Sequence, residues 1–337
     1  MVVDAFLAND EWDLVLFRLK YLSPVVGKFY IGESRITFAG NPKDMVFHSK
    51  TEDLKERGYD VEVVELNVPD DFVGLTERWA IETFVRNMLL ETVGQKHPND
   101  IVLFSDVDEI PSLDQVKMLL AVKNFGEIVS IPTQVCLRRA NWVEFSADRW
   151  RGKWGNALPG SRRVPRIRRG RYPLAHGEPG AHLSYVGMAA GEIRRKYQAF
   201  SHAELDRDDL SSESFIAFAD DFHISQLGRA LEPGGGLLRV LNPSEFNDVQ
   251  RAAFLSNPEW FSSEPIRYPN HRRLVASWIL FSAVRGKLKG SVSDAHAPLW
   301  SWRWGKHALA YGCVWLAWRA FAALGMSGVV KKIGAKA

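Results

Sequence analysis

The alternation of strand-like and helix-like stretches over the first 130 residues constrains the fold more than any other feature of the chain. Residues 2–7 (VVDAFL) read as a strand. Residues 12–22 read as a helix whose apolar positions Trp12, Val15, Leu16, Leu19 and Leu22 recur at spacings of three and four. A second strand is expected over 25–31, a short helix over 51–57 and a third strand over 61–66. A long helix over 77–92 and a fully apolar strand over 101–105 follow. Ser112-Leu-Asp-Gln115 has the form of a capping box and predicts a further helix start. Strand, helix, strand, helix in this order implies an α/β fold, a mainly parallel, Rossmann-like sheet flanked by helices. Sheets of this kind bind ligands at the carboxyl ends of their strands, so chemistry is sought there first.

At 337 residues the chain can hold one large or two modest domains. The regular alternation ends near residue 130. Residues 131–235 are rich in Trp, Arg, Gly and Pro and are expected to build the other half of a cleft, with Pro233-Gly-Gly-Gly236 as a turn. Residues 236–299 are read as a helical extension and 300–337 as an apolar, aromatic tail. Within that tail 308–330 is nearly all apolar, with Arg319 in mid-run. Trp300, Trp302 and Trp304 precede it, and Lys331 and Lys332 follow. The run is about long enough to span a bilayer, but a central arginine is costly there. Two readings stay open: a helix packed on the domain's own core, and an interfacial helix with its tryptophans at headgroup level.

Cys136 and Cys313 stand far apart, which excludes a disulfide scaffold and a cysteine zinc site. Asp4 breaks the apolar core that a signal peptide needs, so the expected location is the cytoplasm, peripheral on the inner face of the membrane if the tail binds there. Net charge is only +3, yet a basic run extends from Arg149 to Arg171. It is either a solvated loop or a surface for an anionic partner, such as a diphosphate-bearing acceptor or acidic lipid headgroups. No aromatic-basic nucleic-acid motif accompanies it, so no nucleic acid is expected.

The sharpest local signal is the apolar strand that runs into Asp106-Val107-Asp108-Glu109 and stops at Pro111. In an extended chain residues i and i+2 share a face, about 6.6 Å apart. Asp106 and Asp108 would then converge on one ligand while Val107 points inward. Paired carboxylates repel unless balanced, and a divalent cation with oxygen ligands balances them. An EF-hand beginning at Asp106 would need glycine and glutamate where Pro111 and Lys117 stand. No G-x-G-x-x-G after a strand, Walker loop, G-x-S-x-G or H-E-x-x-H occurs, which argues against dehydrogenase, P-loop, esterase and zincin chemistry.

Several blocks in order resemble glycosyltransferase family 17. They are Asp4-Ala-Phe with Glu11 and Arg18; Phe29-Tyr-Ile-Gly-Glu33-Ser-Arg35-Ile-Thr37 through Lys43; Arg86-Asn87 on the long helix; the Asp106-Val-Asp108-Glu109 strand end; and Gly180-Ala-His182-Leu-Ser184 through Lys196 to Ser201-His202-Ala-Glu204. The resemblance implies a GT-A fold, in which 1–130 is the sugar-nucleotide-binding half and 131–235 the acceptor side. It further implies an inverting transferase that takes its sugar from a UDP-sugar donor, most naturally UDP-GlcNAc, and uses Mn²⁺ or Mg²⁺. The expected cytoplasmic location, where a mature N-glycan is not met, makes a saccharide or lipid-linked saccharide the expected acceptor. Asp108 is then the direct metal ligand, and Asp106 binds the metal through water or holds the ribose. His182 and His202 are further metal candidates. Glu33, Arg35, Thr37, Lys43, Arg86 and Asn87 are donor-binding candidates, because the loop after the second strand lies at the ligand edge. Transfer with inversion needs a carboxylate base near the acceptor hydroxyl. Glu204 is the first candidate, with Glu178 and Glu144 behind it. The rival readings are a nucleotidyl- or phosphotransferase on the same acidic strand end, and a non-catalytic membrane-surface protein.

Overall fold

The computed structural model describes residues 1–72, 78–122, 126–144, 152–160, 167–170, 172–201 and 238–264, with isolated positions 216, 220 and 223. The chain divides into two compact units. The first comprises Met1–Val143, Ala147–Asp206 and Leu241–Ser262; the second comprises Glu144–Ser146, Arg207–Val240 and Ser263–Ala337. The described part of the second unit is small and includes a short strand, Leu238–Val240. The apolar tail, the rest of the expected helical extension and most of the basic run lie outside the described residues. Among the described residues no helix is long and apolar enough to cross a membrane.

The first unit opens with β1 (Val2–Leu7), α1 (Trp12–Leu22) and β2 (Lys28–Glu33), followed by the short helices α2 (Val46–Ser49) and α3 (Thr51–Glu56). Next come β3 (Val61–Glu65), α4 (Arg78–Lys96), β4 (Ile101–Asp106), β5 (Glu109–Ile110) and α5 (Leu113–Ala121). The second strand starts three residues later than its apolar run suggests. Val25 and Val26 still donate to the Leu22 carbonyl, which closes α1 before the chain can extend. The Ser112 capping box forms: its hydroxyl accepts the Gln115 N–H, and the Gln115 side chain accepts the Ser112 N–H.

β4, β1, β2 and β3 lie side by side in that order and are all parallel. The chain therefore builds outward from β1 to β3 and then returns to the other side of β1. This reversal is the switch point at which such sheets bind ligands, between the ends of β1 and β4. On the far side of β4 the sheet becomes mixed. β8 (Gly152–Pro159) runs antiparallel to both β4 and β6 (Val129–Leu137), and β7 (Trp142–Glu144) pairs antiparallel with β6. β9 (Gly180–Ser184) joins β6 in parallel and β5 antiparallel, and leads into α6 (Ala190–Ala199). Leu241–Ser262 returns with α7 (Asp248–Ser256) to the same core.

Strand alternation splits the core over the two faces of the sheet. Val2 and Phe6 of β1 pack with Leu14, Val15, Leu19 and Leu22 of α1, while Val3, Ala5 and Leu7 pack with Ile81, Val85, Leu89 and Val93 of α4. Asp4 shares the face of Val2 and Phe6. A charge is thereby forced beneath α1, and Arg18, on the buried side of that helix, answers it.

Candidate functional site

The acidic turn hangs from Arg18. This guanidinium has no exposed surface. Its Nε and Nη2 donate to both oxygens of Asp4 at 2.8 and 2.7 Å. Nη2 also donates to Ser105 Oγ at 2.7 Å. Nη1 donates to the carbonyls of Asp106, Val107 and Glu109 at 2.8, 3.1 and 3.0 Å. Drawing three carbonyls toward one nitrogen bends the chain, so β4 ends at Asp106, and Val107 and Asp108 form a turn rather than continuing extended. Val107 is buried in the core.

Because the chain turns, the two aspartates meet different partners. The Asp106 carboxylate, 22% exposed, lies between Arg86 Nη2 at 2.7 Å and Arg168 Nη1 at 3.2 Å. Burial alone would raise its pKa, but Arg168 and Arg86 prevail and hold it below the ordinary carboxylate value. Arg86, on α4, also pairs with Glu82 one turn earlier at 2.8 Å. Glu82 in turn accepts the Ser201 hydroxyl, which fastens the chain after α6 to α4. Arg168 grips Glu109 with both terminal nitrogens, and the Glu109 carboxylate accepts the Asp106 N–H at 2.8 Å. Burial and the nearby Asp106 charge push Glu109 upward against the pull of Arg168.

Asp108 is buried and faces the other way. Its Oδ1 lies 3.5 Å from His182 Nε2, and its Oδ2 lies 3.5 Å from Lys196 Nζ on α6. Lys196 and His182 overcome the burial effect and hold Asp108 well below the usual carboxylate range. The pairing of β5 with β9 sets this geometry: Glu109 stands opposite His182, and the Leu183 N–H donates to the Asp108 carbonyl at 2.8 Å. Gly180 permits the approach, since a Cβ there would sit 2.1 Å from the Ile110 carbonyl oxygen. Tyr185, just past β9, has a φ of 58°, a left-handed conformation costly for a residue with a large side chain.

The remaining candidates divide. Glu33 is buried and spends its carboxylate on the N–H groups of Phe47 and His48 at 3.1 and 2.8 Å, which holds the start of α2. Lys43 lies 3.5 Å from Glu33 and donates to the Asn9 carbonyl at 3.3 Å, tying the loop after β2 to the loop after β1. Arg35 points outward to Glu65 at 2.7 Å. The Thr37 hydroxyl accepts the Asn41 N–H within its own loop. Asn87 is half-buried beside Arg86 on α4. Glu178 pairs with Arg251 at 3.3 Å near the surface. His202 and Glu204, and the side chain of Glu144, lie outside the described residues. The structure also brings in residues that the sequence reading did not assign to the site. Arg168 was hidden in the basic run, and Lys196, Glu11 and Arg18 stood within the family-like blocks without a role.

A sequence profile described as glycosyltransferase family 17 matches residues 1–218. The chain belongs to glycosyltransferase family 17. The human beta-1,4-mannosyl-glycoprotein 4-beta-N-acetylglucosaminyltransferase is 27% identical over 124 residues, which cover 35% of this chain and 23% of that protein. The match thus spans under a quarter of the relative's length. Two solved structures overlay only loosely. A mannosyltransferase from Pyrobaculum calidifontis in complex with GDP-Man and Mn²⁺ is 12% identical with a TM-score of 0.33, covering 100% of this chain and 88% of its own. The galactosyltransferase LgtC, in complex with donor and acceptor sugar analogs, is 14% identical with a TM-score of 0.29, covering 89% and 99%. At such scores neither overlay carries weight for the site. Every residue of the acidic turn and its partners, from Asp4 to Lys196, falls inside the span matched to family 17.

Among the described residues no three of His, Cys, Asp and Glu gather as a metal site. A cation that also binds substrate phosphates and water needs fewer protein ligands, one or two carboxylates often sufficing. Asp108 with His182 fits that requirement, whereas both Asp106 oxygens already face guanidinium groups. Charge points the same way. Among the described residues of this cluster the carboxylates of Glu11, Glu82, Asp106, Asp108 and Glu109 outnumber the cations Arg86, Arg168 and Lys196. An anionic donor approaching such a surface needs added positive charge.

Proposed function

We propose that this family 17 protein is an inverting, metal-dependent glycosyltransferase with a GT-A arrangement. In this reading it moves GlcNAc from UDP-GlcNAc to a saccharide or lipid-linked saccharide on the cytoplasmic side of the membrane. The observation that carries the reading is the acidic turn at the switch point, where Asp106 is bracketed by Arg86 and Arg168 and Asp108 by His182 and Lys196. The human relative, an N-acetylglucosaminyltransferase by name, supports GlcNAc as the sugar.

Asp108 and His182 would hold Mn²⁺ or Mg²⁺, which supplies Lewis-acid neutralisation of the departing diphosphate. The chain's own residues do the rest. Arg86 and Arg168 offer planar guanidinium groups to phosphate oxygens. Asp106 and Glu82 orient Arg86, while Asp106 and Glu109 orient Arg168, so both charges are in place before the donor arrives. Asp106 is the more exposed of the two aspartates, and each of its oxygens, already facing one guanidinium, keeps a second lone pair with which to accept a ribose hydroxyl. Glu204 is the proposed base that takes the proton from the acceptor hydroxyl.

Thermal melting tests the reading. UDP with Mn²⁺ should stabilise the wild type, by about 2.7 kcal/mol at a hundredfold excess over Kd. Asp108→Ala should lose the Mn²⁺-dependent part. A wild type unmoved by the pair would overturn the proposal.

A further inference from the structure

Lys196 is a buried cation for which the transfer chemistry above has no use. Its ammonium lies 3.1 Å from Glu11 Oε1, 3.5 Å from Asp108 Oδ2 and 5.3 Å from the centre of the Tyr185 ring. Only 14% of its side chain is exposed. Glu11 is fixed in turn, because its Oε2 accepts the N–H groups of Asn9 and Asp10 at 2.9 and 3.3 Å. The loop after β1, the turn after β4 and the turn after β9 therefore all close on one ammonium. Burial alone would favour its neutral form, but Glu11 and Asp108 outweigh that and keep it charged.

The other Asp108 oxygen faces His182. An ammonium on one side of this carboxylate and a divalent ion on the other would share a single negative charge, and like charges a few ångström apart oppose each other strongly where water is scarce. Glu11 is closer to the ammonium than Asp108 is, so Lys196 has a second carboxylate to rely on.

Resting on the reading of Asp108 and His182 as metal ligands, we infer that Lys196 is the resident counter-ion of the donor site. It neutralises Asp108 before the metal arrives, lowers the site's metal affinity, and leans on Glu11 when the metal binds. Without nucleotide the metal is held weakly. The donor's diphosphate adds oxygen ligands whose charge Lys196 does not offset as it does that of Asp108, so metal and nucleotide bind cooperatively.

The test is a Mn²⁺ titration of the full chain without nucleotide, reading free Mn²⁺ by electron paramagnetic resonance. Lys196→Met should bind Mn²⁺ roughly tenfold more tightly than wild type. Glu11→Gln should bind it more weakly, because Lys196 then depends on Asp108 alone. In the Glu11→Gln/Lys196→Met double variant the Glu11 effect should vanish, which a general change in charge or packing would not produce. Equal Mn²⁺ affinity in all the proteins overturns the role of Lys196 while leaving the metal site standing. So does weaker binding by Lys196→Met. No Mn²⁺ binding by any of them, with or without UDP, overturns the metal reading itself. Should Lys196→Met fail to fold, Glu11→Gln decides: weaker binding supports the inference, and unchanged or tighter binding refutes it.

Discussion

Replacing Arg18 with methionine tests how the acidic turn is held. The guanidinium is wholly buried, pairs with a wholly buried Asp4, and donates to three carbonyls of the turn that carries Asp106 and Asp108. Methionine roughly fills the volume but leaves the Asp4 charge without a partner. Breaking a buried pair from one side costs about 3–5 kcal/mol. At about 2–4 °C per kcal/mol for a domain of 150–250 residues, the melting temperature should fall by about 6–20 °C. The assay is thermal unfolding followed by circular dichroism, on the single variant and on Asp4→Asn/Arg18→Met. The double variant removes the stranded charge and should regain a substantial part of the loss. It should still bind UDP poorly, since the three carbonyls remain without their donor. A single variant melting within about 2 °C of wild type, or a double variant no better than the single, would refute the reasoning.

Three further outcomes follow from the same geometry. Gly180→Ala would drive a Cβ into the Ile110 carbonyl and part β5 from β9; unfolding titrations should show a loss of about 1–3 kcal/mol or more, with UDP release impaired as His182 moves from Asp108. Arg168→Gln removes a cation beside Asp106 and Glu109. The rate of UDP release from UDP-GlcNAc should drop on the order of a hundredfold, and an unchanged rate would remove Arg168 from the donor site. Burial raises the Cys136 thiol from its ordinary 9.0 to about 12. The unfolded thiol ionises first, so this group's stabilising contribution is whole below pH 9.0 and is lost as pH rises toward 12. Mass mapping should find Cys136 alkylated slowly at pH 8–9 in the native protein and rapidly in urea.

Much of the frame was legible in the sequence, because periodicity reports directly on burial. The strand over 2–7, the helix over 12–22 and the Ser112 cap each follow from local patterns that the packed structure keeps. The acidic strand end was legible too, as an abrupt change from apolar to charged residues at a place where α/β sheets bind ligands. Its conformation was not. Spacing alone implied an extended run with both aspartates on one face. The bend is imposed by Arg18, 88 to 91 positions earlier and placed among apolar residues on α1, where a charge carries no periodic signal. Arg168 was equally hidden, one arginine in a run of many, distinguished only by its bond to Glu109 across the fold. Glu33 shows the converse. It stands at a strand end among family-like residues, yet its oxygens hold α2, a commitment that depends on backbone N–H groups no sequence pattern marks.

The claim that the acidic turn between β1 and β4 receives the donor is tested most directly by crystals grown with UDP-GlcNAc and Mn²⁺, with data recorded at the manganese absorption edge. An anomalous peak bonded to Asp108 and His182, with the diphosphate against Arg86 and Arg168, is the expected result. A nucleotide bound elsewhere, or a turn still closed by its own arginines and lysine with no manganese beside Asp108, would contradict it.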